Sequence, residues 1–156
     1  MLRKIGGLAV EIDSDDSPCW EAQRAAQRGD VVVKVSAVSS ALPAAMAAAQ
    51  ALGGTLVARA GLGLAWIHLP AGPSAGDDAG ALSDQDRQSA AVTEAIEDLR
   101  RRLAPAPCVV LDAPTDVRAA LDPWGDETGP ITLMRKVKER FDPAGVCAPG
   151  LFVGGL

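Results

Sequence analysis

The amino-acid sequence predicts an α+β fold in which two helices cover one face of an antiparallel sheet. Three observations support this prediction. Residues 31–38 form a β-branched run that is typical of a buried strand. Residues 55–60 and 64–69 are two apolar segments joined by a short glycine-containing turn, a pattern that indicates a β-hairpin. Residues 83–103 repeat apolar side chains at the spacing of one helix face.

Residues 1–30 are predicted to form a separate N-terminal segment. A short apolar run over 8–12 predicts a strand. A helix is predicted from Pro18 to about residue 27, with Ser17 as its N-cap and the proline in its first turn. Trp20 is the only large apolar residue of this helix, so the segment is expected to pack weakly against the rest of the chain.

Residues 31–112 contain the elements of one ferredoxin-like domain. After the first strand, two serines begin a helix, and Gly53 ends it because glycine takes a positive φ at no steric cost. The hairpin follows, and then a Gly- and Pro-rich loop over 70–82, the long helix and a last strand over 108–111. The order strand–helix–strand–strand–helix–strand is that of the split βαβ, ferredoxin-like motif.

Residues 113–156 are predicted to form C-terminal helices and a tail. The final helix precedes Asp142, and its expected buried stripe is Met134, Val137 and Phe141. The other faces of this helix carry four cations, namely Arg135, Lys136, Lys138 and Arg140. These cations are either a solvated helix surface or a docking surface for an acidic or flavin-bearing partner.

Composition and charge exclude several classes of function. The net charge is −5, and nucleic-acid binding needs a concentrated basic surface, so no nucleic-acid partner is expected. No apolar run reaches the roughly 20 residues of a membrane span, and the first residues lack the apolar core of a signal peptide. The three cysteines are widely spaced and match no metal-ligand pattern, which favours a reduced, cytoplasmic setting and no metal site.

The carboxyl terminus carries the most informative motif. Its elements, in order, are Leu133-Met134-Arg135-Lys136-Val137-Lys138, Phe141-Asp142-Pro143, Gly145 and Pro149-Gly150. This order resembles the carboxyl terminus of FAD-linked oxidases of the vanillyl-alcohol-oxidase type, and it is most similar to the FAD-binding subunits of bacterial glycolate oxidases. The resemblance implies a cap domain built on the ferredoxin-like motif and FAD as the cofactor of the complete enzyme. It also implies a small 2-hydroxy acid as substrate and a flavin-binding domain or other oxidase subunits as partners.

The Gly-rich loop that holds the FAD pyrophosphate in that family is not found in this sequence. Such a loop needs glycines because backbone N–H groups without a neighbouring Cβ can approach phosphate oxygens closely. Gly6-Gly7 is an isolated pair, and no Gly-x-Gly-x-x-Gly run follows a predicted strand. We therefore expect the chain to be the substrate-side part of such a flavoprotein, as a fragment or a stand-alone remnant, and not to hold FAD alone.

Two further C-terminal elements follow the family pattern. Pro149 and Gly150 are the cofactor-binding candidates that the resemblance implies, although Ala148 stands where the family often has Asn and removes one polar contact. Asp122-Pro123-Trp124-Gly125 is similar to the Asp-x-Trp-Gly element that precedes the final helix of the family. A turn with a buried Trp anchor is the simpler interpretation of this element.

Polar side chains mark the outer face of the predicted sheet, which we define as the face turned away from the two helices. Because side chains alternate along a strand, this face carries Lys34, Ser36, Thr55, Arg59, Trp66 and His68. The resemblance implies that this face roofs the flavin and that basic groups on it hold a substrate carboxylate. Arg59 suits that role because its planar guanidinium meets a carboxylate with two parallel hydrogen bonds, and Lys34 and Ser36 are further substrate-binding candidates. His68, the only histidine, is the catalytic candidate for taking or giving a proton.

Two functions of different classes stay open. The first is the substrate-side part of an FAD-linked 2-hydroxy-acid oxidoreductase. The second is a ferredoxin-like binding or assembly module without catalysis, in which the outer-face polar groups are ordinary solvated side chains. The short chain length favours the second function and the tail motif favours the first. In the absence of a flavin-binding partner, the apolar tail around Phe152, Val153 and Leu156 is expected to make the chain a homo-oligomer.

Overall fold

The computed structural model describes residues 2–5, 8–11, 14–71, 82–125 and 130–156, and it confirms an α+β fold. The strands are β1 Leu2–Ile5, β2 Leu8–Glu11, β3 Val32–Ser36, β4 Thr55–Arg59, β5 Leu64–His68 and β6 Cys108–Asp112. The helices are α1 Ser17–Ala25, α2 Leu42–Ala51, α3 Leu82–Leu103, α4 Thr115–Ala120 and α5 Ile131–Phe141. None of the described helices is both long and apolar enough to cross a membrane.

The strands β3 to β6 form one antiparallel sheet in the order β4-β5-β3-β6. The first and third strands of this unit are central, and a helix connects the first strand to the second and the third to the fourth. This arrangement is the ferredoxin-like split βαβ topology that the sequence predicts. Near the amino terminus, β1 and β2 pair as a separate antiparallel hairpin, where the sequence predicted a single strand.

The apolar core lies between the four-stranded sheet and the helices α2 and α3. Val33, Ile67, Ile96 and Leu99 are fully buried. On the α2 side the core contains only alanines, namely Ala45, Ala48 and Ala49. Buried residues of α2 and of α3 belong to one cluster with the inward-facing residues of the sheet. Both helices therefore cover the same face of the sheet, as predicted.

Glycines end the elements where the sequence placed them. Gly53, with a φ of +67°, follows α2, and Gly63, with a φ of +64°, closes the connection between β4 and β5. At the amino end of α1 the prediction was wrong by one residue, because Asp16 holds the N-cap position and Ser17 begins the helix. Most of the predicted loop over 70–82 lies outside the described residues.

The predicted burial of the apolar stripe on α5 is wrong. The helix forms over Ile131–Phe141, but none of its residues is buried. Val137 is 49 % exposed and Phe141 is 83 % exposed, and no residue of α5 belongs to the core cluster. Helical periodicity identifies an apolar face but does not say what covers it, and the described residues of the tail leave most of this face exposed.

Candidate functional site

The register of the sheet arranges the outer-face side chains in rows that run across the strands. Residues that are directly paired in antiparallel strands point to the same face, so each row can be taken from the strand pairing. From one end of the sheet to the other, the rows are Arg59–Leu64–Ser36, Val57–Trp66–Lys34 and Thr55–His68–Val32. All four predicted site residues of the sheet therefore share this face.

The rows separate the predicted site residues along the strands. A strand rises about 3.3 Å per residue, so neighbouring rows lie roughly 7 Å apart and the outer two roughly 13 Å apart. Arg59 and Ser36 lie in the first row, Lys34 lies in the middle row and His68 lies in the last row. The structure thus brings Lys34 between the other candidates and leaves Arg59 and His68 at opposite ends of the face.

Trp66 lies at the centre of the face, between the two cations. Arg59 Cζ lies 5.8 Å from the centroid of the Trp66 ring, which is within the range of a cation–π contact. Lys34 is the direct cross-strand partner of Trp66 on the other side. The guanidinium of Arg59 therefore leans from the first row over the middle row, and the two cations flank one indole.

The charge of these two cations is not neutralised within the described residues. The ion pairs found there lie on α3 and at the end of α5, and none involves Lys34 or Arg59. Arg59 Nε is buried and has no hydrogen-bond acceptor in this part of the chain. A buried guanidinium N–H without an acceptor is energetically unfavourable.

His68 lies at the covered end of the outer face. Its Nε2 is buried and has no hydrogen-bond partner among the described residues. A Cβ at Gly29 would lie 3.3 Å from His68 Nδ1 and 3.5 Å from Val32 Cγ2, so the chain that enters β3 packs against both side chains. Val32 is completely buried for the same reason. The expectation of an open outer face is therefore wrong at this end, and it is also wrong at the centre, where Trp66 is buried.

Two glutamines that the sequence analysis did not single out also carry unpaired buried atoms. Gln23 Oε1 and Gln27 Nε2 are buried without a hydrogen-bond partner among the described residues. Their spacing of four residues places them on one side of the helical turns that start in α1. Gln27 comes two residues before Gly29, which packs against His68. The signal available in the sequence was this spacing, on a helix that is otherwise mostly exposed.

The Asp-Pro motif of the tail forms a closed turn after α5. The carboxylate of Asp142 accepts hydrogen bonds from the backbone N–H groups of Val146 (2.9 Å) and Cys147 (3.0 Å). Lys138 Nζ donates to Asp142 Oδ2 (2.9 Å) and to the Cys147 carbonyl (2.8 Å). These donors, with the Lys138 ammonium first, lower the pKa of Asp142 to about 2. One of the four cations of α5 therefore stabilises the turn and is not free for docking.

The Asp-x-Trp-Gly element forms a turn that anchors the tail to the ferredoxin-like unit, but its Trp124 is half-buried and not buried as the simpler interpretation expected. Trp124 Nε1 donates to the Leu151 carbonyl (3.1 Å), and the ring of Trp124 meets that of Phe152 edge to face at 4.8 Å. The same turn reaches the sheet, because the backbone N–H of Val110 donates to the Pro123 carbonyl (2.8 Å). The tail is thus fixed to the outer edge of β6 through one tryptophan.

An apolar groove lies between α5 and the tail. It has a volume of about 630 Å³, and its walls include Leu133, Met134, Val137, Phe152 and Leu156. The cofactor-binding candidates Pro149 and Gly150 are exposed on this tail. No hydrogen bond between described residues joins them to the outer face of the sheet.

The described residues do not fit the pyrophosphate of FAD. A phosphate is held where several free backbone N–H groups converge at a helix N-terminus. The fully described helices of eight or more residues begin after Asp16, Ala41 and Pro130, and no run of glycines lies at any of these ends. No group of three or more potential metal ligands occurs among the described residues either.

Comparisons with protein-family models, with curated proteins and with solved structures gave no match for this chain.

Proposed function

We propose that this chain is the substrate-side part of an FAD-linked 2-hydroxy-acid oxidoreductase of the glycolate-oxidase type, and that its outer sheet face binds the substrate carboxylate. The observation that carries the proposal is the pair of cations, Lys34 and Arg59, on either side of Trp66. The tail sequence around Asp142 supports it because this sequence carries the resemblance, and the ferredoxin-like topology supports it because the resemblance implies a cap domain of this kind.

The role of each residue follows from its row. Arg59 offers a planar fork that suits a carboxylate, and its stacking on Trp66 limits the directions in which the fork can point. Lys34 adds a second positive charge in the middle row. Ser36 lies beyond Leu64 from Arg59 and can donate one neutral hydrogen bond. His68 is the proposed proton acceptor, and its Nε2, which is buried without a partner among the described residues, must become accessible when the substrate binds.

FAD belongs to a flavin-binding part that this chain must meet in the proposed enzyme. The surface we assign to that junction is the apolar side of α5 with the adjoining tail, where Leu133, Phe141 and Leu151 are 60 %, 83 % and 73 % exposed. Contiguous exposed apolar surface of this kind marks interfaces. Lys136 and Arg140 border it, so the matching surface is expected to carry acidic groups.

The test is to isolate the chain with its natural partners and to measure the catalysis of the complex. A tagged chain is purified from its native source, the flavin absorbance of the complex is recorded, and reduction of an electron-accepting dye is followed with a series of small 2-hydroxy acids. A flavin-containing complex that reduces the dye with one or more of these acids is expected. A complex without flavin, or one inactive towards the whole series, would refute the proposal.

Variants of Arg59 then test the outer face itself. Arg59→Lys keeps the charge but loses the fork, which costs about 2–3 kcal/mol of transition-state binding, or roughly a 30–150-fold loss in kcat/KM. Arg102→Lys is the matched control, because the exposed Arg102 lies on α3, away from the sheet, and its one ion pair within the described residues is with Asp98 of the same helix. Unchanged kinetics for Arg59→Lys and for Arg59→Ala would show that the outer face does not bind the substrate.

A further inference from the structure

The two edges of the four-stranded sheet differ in how they are protected. At the β6 edge, the backbone N–H of Val110 is bonded to the Pro123 carbonyl, and Arg100 Nε donates to the Cys108 carbonyl (3.3 Å). At the β4 edge, no residue of Thr55–Arg59 receives or donates a backbone hydrogen bond outside the sheet within the described ranges. A free strand edge presents unpaired N–H and C=O groups to any strand that can align with it.

Strand β4 also lacks the features that keep edge strands apart. Such strands usually carry lysine, proline, an inward-facing charge or a bulge. The sequence Thr-Leu-Val-Ala-Arg contains no proline and a single charge, Arg59, whose side chain stacks on Trp66 on the outer face. The pairing of β4 with β5 is regular from end to end. This edge is therefore competent for pairing.

The helix beside this edge is unusual among the helices of the chain. Helix α2 packs next to β4 and β5, and its sequence Leu-Pro-Ala-Ala-Met-Ala-Ala-Ala-Gln-Ala contains no charged residue. Met46 is 55 % exposed, and Ala44, Ala47 and Ala51 are exposed as well. A helix on a solvated surface normally carries charged side chains on its outer side. The uncharged helix and the strand edge beside it together form one surface. A partner that covers this surface removes no charged side chain of α2 from water.

We propose that β4 and α2 form a self-association surface, at which two copies of this chain pair antiparallel through β4 about a twofold axis at Val57. The partner is a second copy because this register is complementary to itself. At the axis Val57 lies opposite Val57 of the second copy, so two β-branched residues meet. Leu56 lies opposite Ala58, so a large residue faces a small one. Arg59 lies opposite Thr55, so no like charges are opposed.

The same register keeps the layers of the two copies aligned. Residues that pair about Val57 differ by an even number of positions, so the outer faces lie on one side of the joined sheet and the helices on the other. Leu56 and Ala58, which pack at the margin of the core and are only half-buried, would be covered by the second copy. The two α2 helices would lie next to each other, and the pair would share one eight-stranded antiparallel sheet.

The association is tested by sedimentation velocity over a concentration series. Val57→Lys sets two like charges opposite each other at the axis, and we expect the dimer dissociation constant to rise by about tenfold or more. Leu111→Lys is the matched control, since Leu111 is an exposed apolar residue of the closed edge strand β6 and its replacement should leave the dimer intact. Circular dichroism of both variants confirms that they are folded.

Cross-linking tests the register directly. Opposed residues of antiparallel strands have Cα atoms about 4.5–5.5 Å apart, which a disulfide can bridge. In a background with the exposed Cys19 and Cys147 replaced by serine, Val57→Cys should therefore cross-link two copies under mild oxidation, and Leu111→Cys should not. A chain that stays monomeric at all concentrations would overturn the proposal. So would a dimer that survives Val57→Lys but is lost in Phe141→Glu, because the association would then belong to α5. The proposal does not depend on the function proposed above.

Discussion

Arg100 connects its own helix, α3, to two other backbone segments, strand β6 and the turn at residues 122–123. Its Nε donates to the Cys108 carbonyl of β6 (3.3 Å), and its Nη2 donates to the carbonyls of Asp122 (2.7 Å) and Pro123 (3.2 Å). The turn that it holds contains Trp124, which in turn anchors the tail. Arg100→Met keeps most of the side-chain stem and removes every donor, so it tests this connection with little change in packing.

The expected loss of stability follows from the three hydrogen bonds. A hydrogen bond to a charged group contributes about 1.5–3 kcal/mol and a neutral one about 1 kcal/mol. Two of the three bonds share one nitrogen and the third is long, and the released carbonyls can be solvated, so the total is about 2–3 kcal/mol. For a chain of this length each kcal/mol lowers Tm by about 2–4 °C, which gives a decrease of about 4–12 °C.

Thermal unfolding followed by circular dichroism measures this decrease, and hydrogen exchange at the Trp124 indole N–H measures release of the tail. Both should change together in Arg100→Met. Arg102→Met is the matched control, because among the described residues Arg102 forms one ion pair, with the half-buried Asp98, and a surface ion pair contributes less than about 1 kcal/mol. If the Tm and the indole exchange of Arg100→Met equal those of Arg102→Met, the three carbonyl contacts do not hold the tail.

Three further predictions concern other parts of the chain. Because its pKa is lowered from 3.8 to about 2, Asp142 stabilises its turn fully above about pH 4 and loses this effect as the pH falls towards 2, so the protection of the turn amides, measured by NMR as exchange relative to the intrinsic rate at each pH, should decrease over that interval. Gly63→Ala should destabilise the fold by about 2 kcal/mol or more, since φ is +64° and its Cβ would collide with the Ala37 carbonyl, whereas Gly61→Ala meets no atom and should leave urea unfolding nearly unchanged. Phe141→Ala should cost less than about 1 kcal/mol because the ring is exposed, while Ile96→Ala in the core should cost about 2–5 kcal/mol in the same experiment.

The ferredoxin-like unit could be predicted because each of its elements has a local signal. Strand β3 is β-branched, α3 repeats Val92, Ile96, Leu99 and Leu103 at helical spacing, and Gly53 and Gly63 lie where a positive φ is required. The environment of α5 could not be predicted in this way. Its period of apolar residues is as clear as that of α3, but only tertiary contacts decide which face is covered, and here the face stays exposed.

The sequence also could not predict how the candidate site residues are grouped on the outer face. Alternation along a strand places a residue on one face or the other, but it does not set the row in which that residue lies. The row depends on the register between strands, and this register sets Lys34 opposite Trp66 and His68 opposite Val32. The sequence therefore predicted correctly that these residues share one face. The separation of Arg59 from His68 could be seen only from the register of the paired strands.

The spacing of the three rows limits where on the proposed site a substrate carboxylate can bind. In a 2-hydroxy acid the hydroxyl is one carbon away from the carboxylate, a span much shorter than the roughly 7 Å between neighbouring rows. A carboxylate held in the first row beside Arg59 would leave the hydroxyl far from His68, and proton transfer needs a heavy-atom distance of about 2.6–3.2 Å. A carboxylate in the middle row, where Lys34 lies and over which Arg59 leans, would bring the hydroxyl nearest to His68. Under the proposed function Lys34 is therefore the cation nearest to the row of His68, and Arg59 orients the carboxylate from one side. The side chains of Lys34 and His68 have to bridge the remaining row spacing of roughly 7 Å.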